Sequence, residues 1–231
     1  MKLSIIIPVY NEKSTILSII EKIKAVNLPT GIEKEIVVVD DGSTDGTKEL
    51  LGKFTGEAIV KILSYGANQG KTFAVKYGIE HSSGELIIIQ DADLEYSPDQ
   101  YPRLLGPILS SGAAIVYGSR FMGTVKGMTA VNRLANRMTN LTVNLLYGTR
   151  LTDVNTCFKM FKRILLKDIT ITSQKFSFDI EITVKFLKKG YKIHEVPIDY
   201  CARSRSEGKK ITWGAALQSY GVLIKSKFVK D

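Results

Sequence analysis

The strongest constraint on how this chain folds is the alternation of short, unbroken apolar runs with segments of helical period. Ile5-Ile6-Ile7, Ile36-Val37-Val38-Val39 and Leu86-Ile87-Ile88-Ile89 are apolar at every position. Strands of that kind are covered on both faces, as in a parallel sheet sandwiched by helices. Strands are expected over residues 3–7, 35–39, 59–63, 86–90 and 114–117, with helices over 12–25, 44–54, 70–81 and 98–109 between them. The alternation predicts an α/β fold with a mainly parallel central sheet flanked by helices. Beyond residue 120 the pattern loosens. An amphipathic helix is expected over 128–147, an extended segment over 156–161, a helix over 178–189, a strand over 192–198 and a second amphipathic stretch over 211–230. No repeat, low-complexity tract or linker interrupts the 231 residues, so a single domain spanning 1–231 is expected.

The formal net charge of +9 admits three anionic partners: nucleic acid, an anionic membrane or a phosphorylated substrate. Acidic motifs collect in the first half, whereas Arg and Lys crowd residues 120–231 and interleave with apolar helix faces. That distribution favours membrane and phosphate over nucleic acid, whose readers carry a basic stripe and a reading motif. No apolar stretch approaches the roughly 18 to 20 residues of a membrane-spanning helix, and the run at Ile5 is too short for a signal-peptide core. Cys157 and Cys201 have neither metal-ligand nor disulfide-framework spacing, and His81 and His194 lie far apart. A cytoplasmic protein with free thiols is expected.

Each strand run ends in polar or turn-forming residues, and ligands of open α/β sheets bind at those carboxyl ends. Asp91-Ala92-Asp93 follows the run 86–89, with Glu95 two residues on. Two carboxylates at i and i+2 on a loop can converge on Mg²⁺ or Mn²⁺, which complete their shells with water and substrate phosphates. The same triplet also suits a turn or helix cap. Asp40-Asp41-Gly42-Ser43-Thr44-Asp45-Gly46 follows the run 36–39. An Asp there can accept from a nucleobase or ribose, and Ser43, Thr44 or Asp45 can cap the next helix. Neither a Walker phosphate loop nor a GxGxxG fingerprint occurs.

Taken in order, Pro8-Val9-Tyr10-Asn11-Glu12, Val38-Val39-Asp40-Asp41-Gly42-Ser43-Thr44-Asp45-Gly46-Thr47, Asn68-Gln69-Gly70-Lys71, Gln90-Asp91-Ala92-Asp93-Leu94 and Gly118-Ser119-Arg120-Phe121 resemble the family-two, GT-A fold glycosyltransferases. Within them the chain resembles the dolichol-phosphate mannose/glucose synthase-like, polyprenyl-phosphate group. The resemblance implies a nucleotide-diphospho-sugar transferase fold with amphipathic C-terminal helices, a nucleotide-sugar half over 1–120 and an acceptor and membrane-surface half over 121–231. It places Pro8, Tyr10, Glu12, Asp40, Lys71, Asp91 and Ala92 at the nucleotide-sugar, and Asp91, Asp93 and Glu95 at a Mg²⁺ or Mn²⁺ ion. Glu95 stands where the family often has Gln, and Thr72 where it commonly has Gly. Lys71 therefore reads equally as a phosphate-side cation or a solvated helix start.

Thr152-Asp153-Val154-Asn155-Thr156-Cys157-Phe158-Lys159 resembles the segment lining the reaction centre of that group, and Glu195-Val196-Pro197-Ile198 with the following basic residues resembles its late loop. Arg133, Arg203, Arg205, Lys209 and Lys210 are implied at the acceptor phosphate, the last four reading alternatively as a solvated charged loop. Asp93, Asp153 and Arg120 form the implied catalytic set, with Asp153 orienting the acceptor or its surroundings more than acting as base. Asp179 and Glu181 line a sugar pocket or a solvated helix face. A polyprenyl monophosphate is already ionised near neutral pH, so position and charge compensation matter more than a base. The implied reaction is an inverting transfer from GDP-mannose or UDP-glucose to a polyprenyl or dolichyl phosphate. It would occur at the cytoplasmic face of an anionic membrane, with a separate anchoring protein as a further partner. Segments 128–147 and 211–230 have the composition of interfacial helices or of helices packed on the sheet. The rival readings are a transferase with a saccharide acceptor, which needs a carboxylate base, and a non-catalytic nucleotide-binding or membrane-surface scaffold.

Overall fold

The computed structural model describes residues 1–173, 177–203 and Leu223. Among them a seven-stranded sheet forms the centre, in the order β3-β2-β1-β4-β7-β5-β8. The strands are β1 (Lys2–Val9), β2 (Glu33–Asp40), β3 (Val60–Ser64), β4 (Leu86–Ile89), β5 (Ile115–Ser119), β7 (Lys159–Lys162) and β8 (His194–Pro197). All run parallel except β7, which is antiparallel to both β4 and β5. A small second sheet pairs β6 (Val125–Lys126) with β9 (Tyr200–Cys201). The mainly parallel α/β expectation holds, with strand positions shifted by one to three residues.

Ile5, Ile6, Ile7, Ile36, Val37, Val38, Val39 and Leu86 through Ile89 are all fully buried, as two-sided coverage requires. On α1 (Ile16–Ala25) the buried Ile16, Ile19, Ile20 and Ile23 recur at i, i+3, i+4 and i+7, one stripe of a helix. The helix α3 (Lys71–Glu80) instead buries small residues, Thr72, Ala74 and Gly78, and so lies close on the sheet. A Cβ at Gly78 would stand 2.6 Å from Ile6 Cγ2. The expected helices over 44–54 and 98–109 shorten to α2 (Thr47–Leu51) and α4 (Tyr101–Ser111), each with an adjoining 3₁₀ turn.

Two features of this topology place the site. The chain moves outward from β1 to β2 to β3, then returns to the other side of β1 with β4, opening a crevice at the carboxyl ends of β1 and β4. Because β7 runs against its neighbours, the loop that precedes it arrives at this same edge. Tyr117 lies opposite Lys159, and Ile88 opposite Met160. The loop over 151–158 is thereby set beside Asp91.

The helices α5 (Ala130–Tyr147) and α6 (Phe178–Lys188) pack together around Val143, Leu151, Val154, Ile180, Val184 and Leu223, a cluster separate from the main core. The face that α5 turns inward is mostly polar. Thr139, Asn140 and Val143 are buried, while Val131, Leu134, Met138, Leu141 and Leu145 are 51% to 76% exposed. The second amphipathic stretch, 211–230, lies outside the described residues apart from Leu223.

Candidate active site

At the end of β1 the chain turns sharply. Asn11 has φ of 53°, a left-handed conformation that Asn tolerates better than most residues. Its side-chain oxygen accepts from Thr44 N at 2.8 Å, and its own N–H donates to Ser43 Oγ at 2.9 Å. These bonds clamp the turn after β1 to the acidic loop after β2. Pro8 is half-buried, Tyr10 is exposed above the edge, and Asp40 is buried with Oδ1 accepting from Ser43 N at 3.1 Å. Asp41 is turned the other way. It accepts from Tyr65 Oη at 2.9 Å, Asn68 Nδ2 at 3.0 Å, Gln69 N at 2.6 Å and Gly70 N at 2.8 Å, and so builds the loop that leads into α3. Replacing Asp41→Asn puts an amide among four donors. Urea unfolding should show a loss of about 2–3 kcal/mol, as for buried groups left unsatisfied. Lys71, the next residue of that loop, should lose its placement with it.

Asp91, Ala92 and Asp93 follow β4 at the crevice. Lys71 Nζ lies 2.7 Å from Asp91 Oδ1 and 3.5 Å from Asp179 Oδ2. Burial opposes the charge on Lys71, but Asp179 and Asp91 outweigh it and hold the ammonium well above its ordinary pKa. Arg203 Nη1 lies 3.0 Å from Glu12 Oε2, and Nη2 lies 3.3 Å from Asp93 Oδ2. The guanidinium reaches this point because β9 pairs with β6 and bridges Tyr96, and because Arg203 N donates to Glu95 Oε1 at 2.8 Å. Tyr200 Oη donates to Glu95 Oε2. Burial, Asp91 and Glu95 push the Asp93 carboxyl up to about 7, with Arg203 pulling against them.

The donor set fits a hard divalent cation. Two carboxylates come from one loop, and among the described residues no cluster of three or more His, Cys, Asp or Glu forms a ready-made cage. A shell there would be completed by water and diphosphate oxygens, the usual manner for Mg²⁺. Glu95 accepts from Tyr200 Oη and Arg203 N and so also ties this loop to β9.

On the acceptor side the expected catalytic pair is a buried ion pair. Asp153 is fully buried, and its two oxygens accept from Arg120 N at 2.9 Å, Nε at 2.7 Å and Nη2 at 2.8 Å. The guanidinium is ringed by Tyr200, Phe121 and Tyr96 at 5.1, 5.8 and 6.0 Å. A carboxylate held in this way by one guanidinium orients its neighbours, in line with the expectation that Asp153 positions the acceptor side more than it acts as a base. Glu195 accepts from Thr152 N and Asp153 N at 2.8 and 2.9 Å, supporting the same loop from β8.

The inward face of α5 grips that loop as well. Asn144 donates to Leu151 O and accepts from Leu151 N, each at 2.9 Å. Asn140 donates to Thr152 O and accepts from Val154 N at 2.9 Å, and Asn136 Oδ1 accepts from Asn155 Nδ2 at 3.0 Å. Spacing by four is the only sequence signal of this ladder; sequence reasoning missed it because Asn carries no catalytic signature. Lys159, the last residue of the segment expected to line the reaction centre, ties the same loop from within. Its fully buried Nζ donates to Val154 O at 2.7 Å and Thr156 O at 2.8 Å, 4.2 Å above the Tyr117 ring, and burial pulls its pKa down to about 8. Asp179 Oδ2 faces Lys71, whereas its buried Oδ1 has no hydrogen-bond partner among the described residues. Glu181 accepts from Thr172 N and Ser173 N at 2.8 and 2.7 Å and supports a loop.

The structure therefore sets Tyr10, Glu12, Asp40, Lys71, Asp91, Ala92 and Asp93 along the edge formed by the carboxyl ends of β1, β2 and β4, with Arg120 at the corresponding end of β5 and Asp153 paired to it. Arg203, expected at the acceptor phosphate, sits against Glu12 and Asp93. Arg133 is half-buried on α5. Arg205, Lys209 and Lys210 lie outside the described residues.

A central sheet with this order, flanked by helices and carrying an Asp-x-Asp loop at its switch point, defines the GT-A fold of nucleotide-diphospho-sugar transferases. The chain belongs to glycosyl transferase family 2, whose model matches residues 4–170. It is 31% identical to Glycosyltransferase AglJ of Haloferax volcanii, over 86% of this chain and 63% of that protein. It is 29% identical to Dolichol-phosphate mannosyltransferase of Pyrococcus furiosus, over 90% of this chain and 59% of that protein. It is 28% identical to the undecaprenyl-phosphate 4-deoxy-4-formamido-L-arabinose transferase of Pseudomonas aeruginosa, over 89% and 59%. The chain thus spans about three fifths of the length of these curated relatives. Glucosyl-3-phosphoglycerate synthase from Mycobacterium tuberculosis, solved with Mn²⁺, UDP and phosphoglyceric acid, superposes with a TM-score of 0.76 at 20% identity, over 100% of this chain and 80% of that one. The same enzyme with Mg²⁺ and UDP gives 0.75 at 22% identity, covering 100% and 80%.

Proposed function

We propose that the protein transfers a sugar from a nucleoside-diphosphate donor to a polyprenyl phosphate, with a divalent cation at Asp91 and Asp93. The observation that carries the donor half is the convergence of Asp91, Asp93, Lys71 and Arg203 at the β1–β4 crevice. When bound, the cation supplies Lewis-acid stabilisation of the departing diphosphate. Tyr10 and Asp40 face the nucleoside end, while Lys71 and Arg203 stand where phosphate oxygens need counter-charge. Two of the curated relatives are named for a dolichol-phosphate or undecaprenyl-phosphate acceptor and the third as a glycosyltransferase, which supports this class; GDP-mannose and UDP-glucose are the donors to try first.

The acceptor half rests on α5. No Asp or Glu occurs between Asp99 and Asp153, whereas Arg103, Arg120, Lys126, Arg133, Arg137 and Arg150 do. Over that acid-free stretch α5 exposes five large apolar side chains on one stripe. An apolar stripe flanked by cations suits an anionic bilayer surface, where a polyprenyl phosphate resides. Among the described residues no helix is long and apolar enough to cross a membrane, so surface contact is the proposed mode. Flotation with vesicles containing phosphatidylglycerol tests it. The full chain should float, and a Leu134→Ser, Leu141→Ser, Leu145→Ser variant should remain at the bottom with its melting temperature unchanged. Equal flotation of both removes α5 from the account.

Transfer to a saccharide hydroxyl is the second reading, and Asp179 favours it. Its carboxylate shares Lys71 with Asp91, so a proton acceptor stands beside the donor diphosphate. Asp179→Asn separates the two. A phosphate acceptor is already ionised, so transfer to polyprenyl phosphate should fall less than about tenfold. Transfer to a hydroxyl should fall about 10²–10⁴-fold with the base gone. A panel of radiolabelled sugar nucleotides against undecaprenyl phosphate and oligosaccharides reads both.

A further inference from the structure

Neither carboxylate of the Asp-x-Asp pair stands alone, because each is already paired with a cation of the chain itself. Lys71 Nζ lies 2.7 Å from Asp91, and Arg203 Nη2 lies 3.3 Å from Asp93. Each cation also holds a second carboxylate: Asp179 at 3.5 Å for Lys71, and Glu12 at 3.0 Å for Arg203. All six side chains are at least three-quarters buried, so salt screens them poorly.

We infer that Lys71 and Arg203 are exchangeable counterions of the donor site, which neutralise Asp91 and Asp93 until a nucleoside diphosphate draws them to its phosphates and frees both carboxylates for the divalent cation. The inference deepens the donor reading above and rests on it. A divalent cation arriving alone must compete with two resident positive charges for the same oxygens. A diphosphate reverses that sign, since its anionic oxygens attract Lys71 and Arg203 away from the aspartates and then share the divalent cation with them. Asp179 and Glu12 keep the two cations tethered throughout, so the exchange needs side-chain rotation and no movement of the sheet. The ion and the nucleotide are then coupled, and the coupling is reciprocal: each raises the affinity for the other by the same factor.

The test measures Mn²⁺ affinity of the full chain by electron paramagnetic resonance, alone and with saturating UDP or GDP. Wild type should bind Mn²⁺ weakly alone and about 5- to 150-fold more tightly with nucleotide, the ordinary span of such coupling. Lys71→Met should bind Mn²⁺ alone about tenfold more tightly than wild type and lose most of the coupling. Its affinity for UDP or GDP should fall, whereas Lys71→Arg should keep wild-type behaviour in both. A merely structural role for Lys71 does not produce that opposed pair of shifts. Arg203→Met repeats the test from the Asp93 side and replaces Lys71→Met if the latter does not fold. Mn²⁺ affinity unchanged or weaker in both Met variants, or no Mn²⁺ binding by any protein, overturns the inference. Wild type that binds Mn²⁺ but neither UDP nor GDP sinks the donor reading, while the Mn²⁺ affinities of the variants still decide the counterion question.

Discussion

Asp91→Asn and Asp93→Asn should each reduce sugar transfer about 10³-fold or more, with Mn²⁺ affinity falling in parallel. The magnitude follows from the chemistry required. Breaking the bond to a nucleoside diphosphate leaves charge on the departing group, and its stabilisation by a cation is worth several kcal/mol. Removing one preorganised electrostatic partner typically costs about 10²–10³-fold, and loss of the ion removes more than one. Both variants should fold, because each carboxylate is balanced by a cation that keeps a second partner, Asp179 for Lys71 and Glu12 for Arg203. Melting temperatures should therefore stay within a few degrees of wild type. Full activity of either variant with EDTA present would show that no ion acts at this loop.

The other large effect is one of stability. Asp153→Asn should lower the unfolding free energy by about 3–5 kcal/mol, because it strands the Arg120 charge in a buried site. Asp153 is fully buried against that partner: three Arg120 donors reach its carboxylate within 2.9 Å. A double Arg120→Leu, Asp153→Leu variant should recover part of the loss, since removing both charges also removes their desolvation cost. Guanidinium titration of the three proteins reads this out. Wild-type stability in Asp153→Asn, with turnover alone abolished, would restore the general-base role that the geometry assigns elsewhere.

The positions of the residues proposed for the donor were legible in the sequence to a degree that those proposed for the acceptor were not. Pro8, Tyr10, Glu12, Asp40, Asp91 and Asp93 each lie within four residues of the end of β1, β2 or β4. In a parallel sheet those ends share one edge, so placing the strands placed the residues. Arg203 had no such guide. Its contact with Asp93 spans 110 residues and depends on β6 pairing with β9, a two-residue ladder with no periodicity to read. Asp153 and Arg120 were recognised as important, but which of them faces a substrate depends on the burial of their shared guanidinium cluster. The α5 helix was read correctly as amphipathic. Its polar asparagine side faces the protein and its apolar side faces outward, an inversion that composition alone does not reveal.

By itself the sequence determined what local pattern can determine: unbroken apolar runs require strands covered on both faces, and the turns that end those strands carry the carboxylates proposed for the donor. The tertiary structure alone decided which charges meet. The antiparallel insertion of β7 set Lys159 and the loop 151–158 beside the crevice, and a short second sheet carried Arg203 onto Asp93. Ion pairs and hydrogen bonds act over a few ångströms in space regardless of separation along the chain, so partners brought together by topology leave no imprint on the spacing of residues.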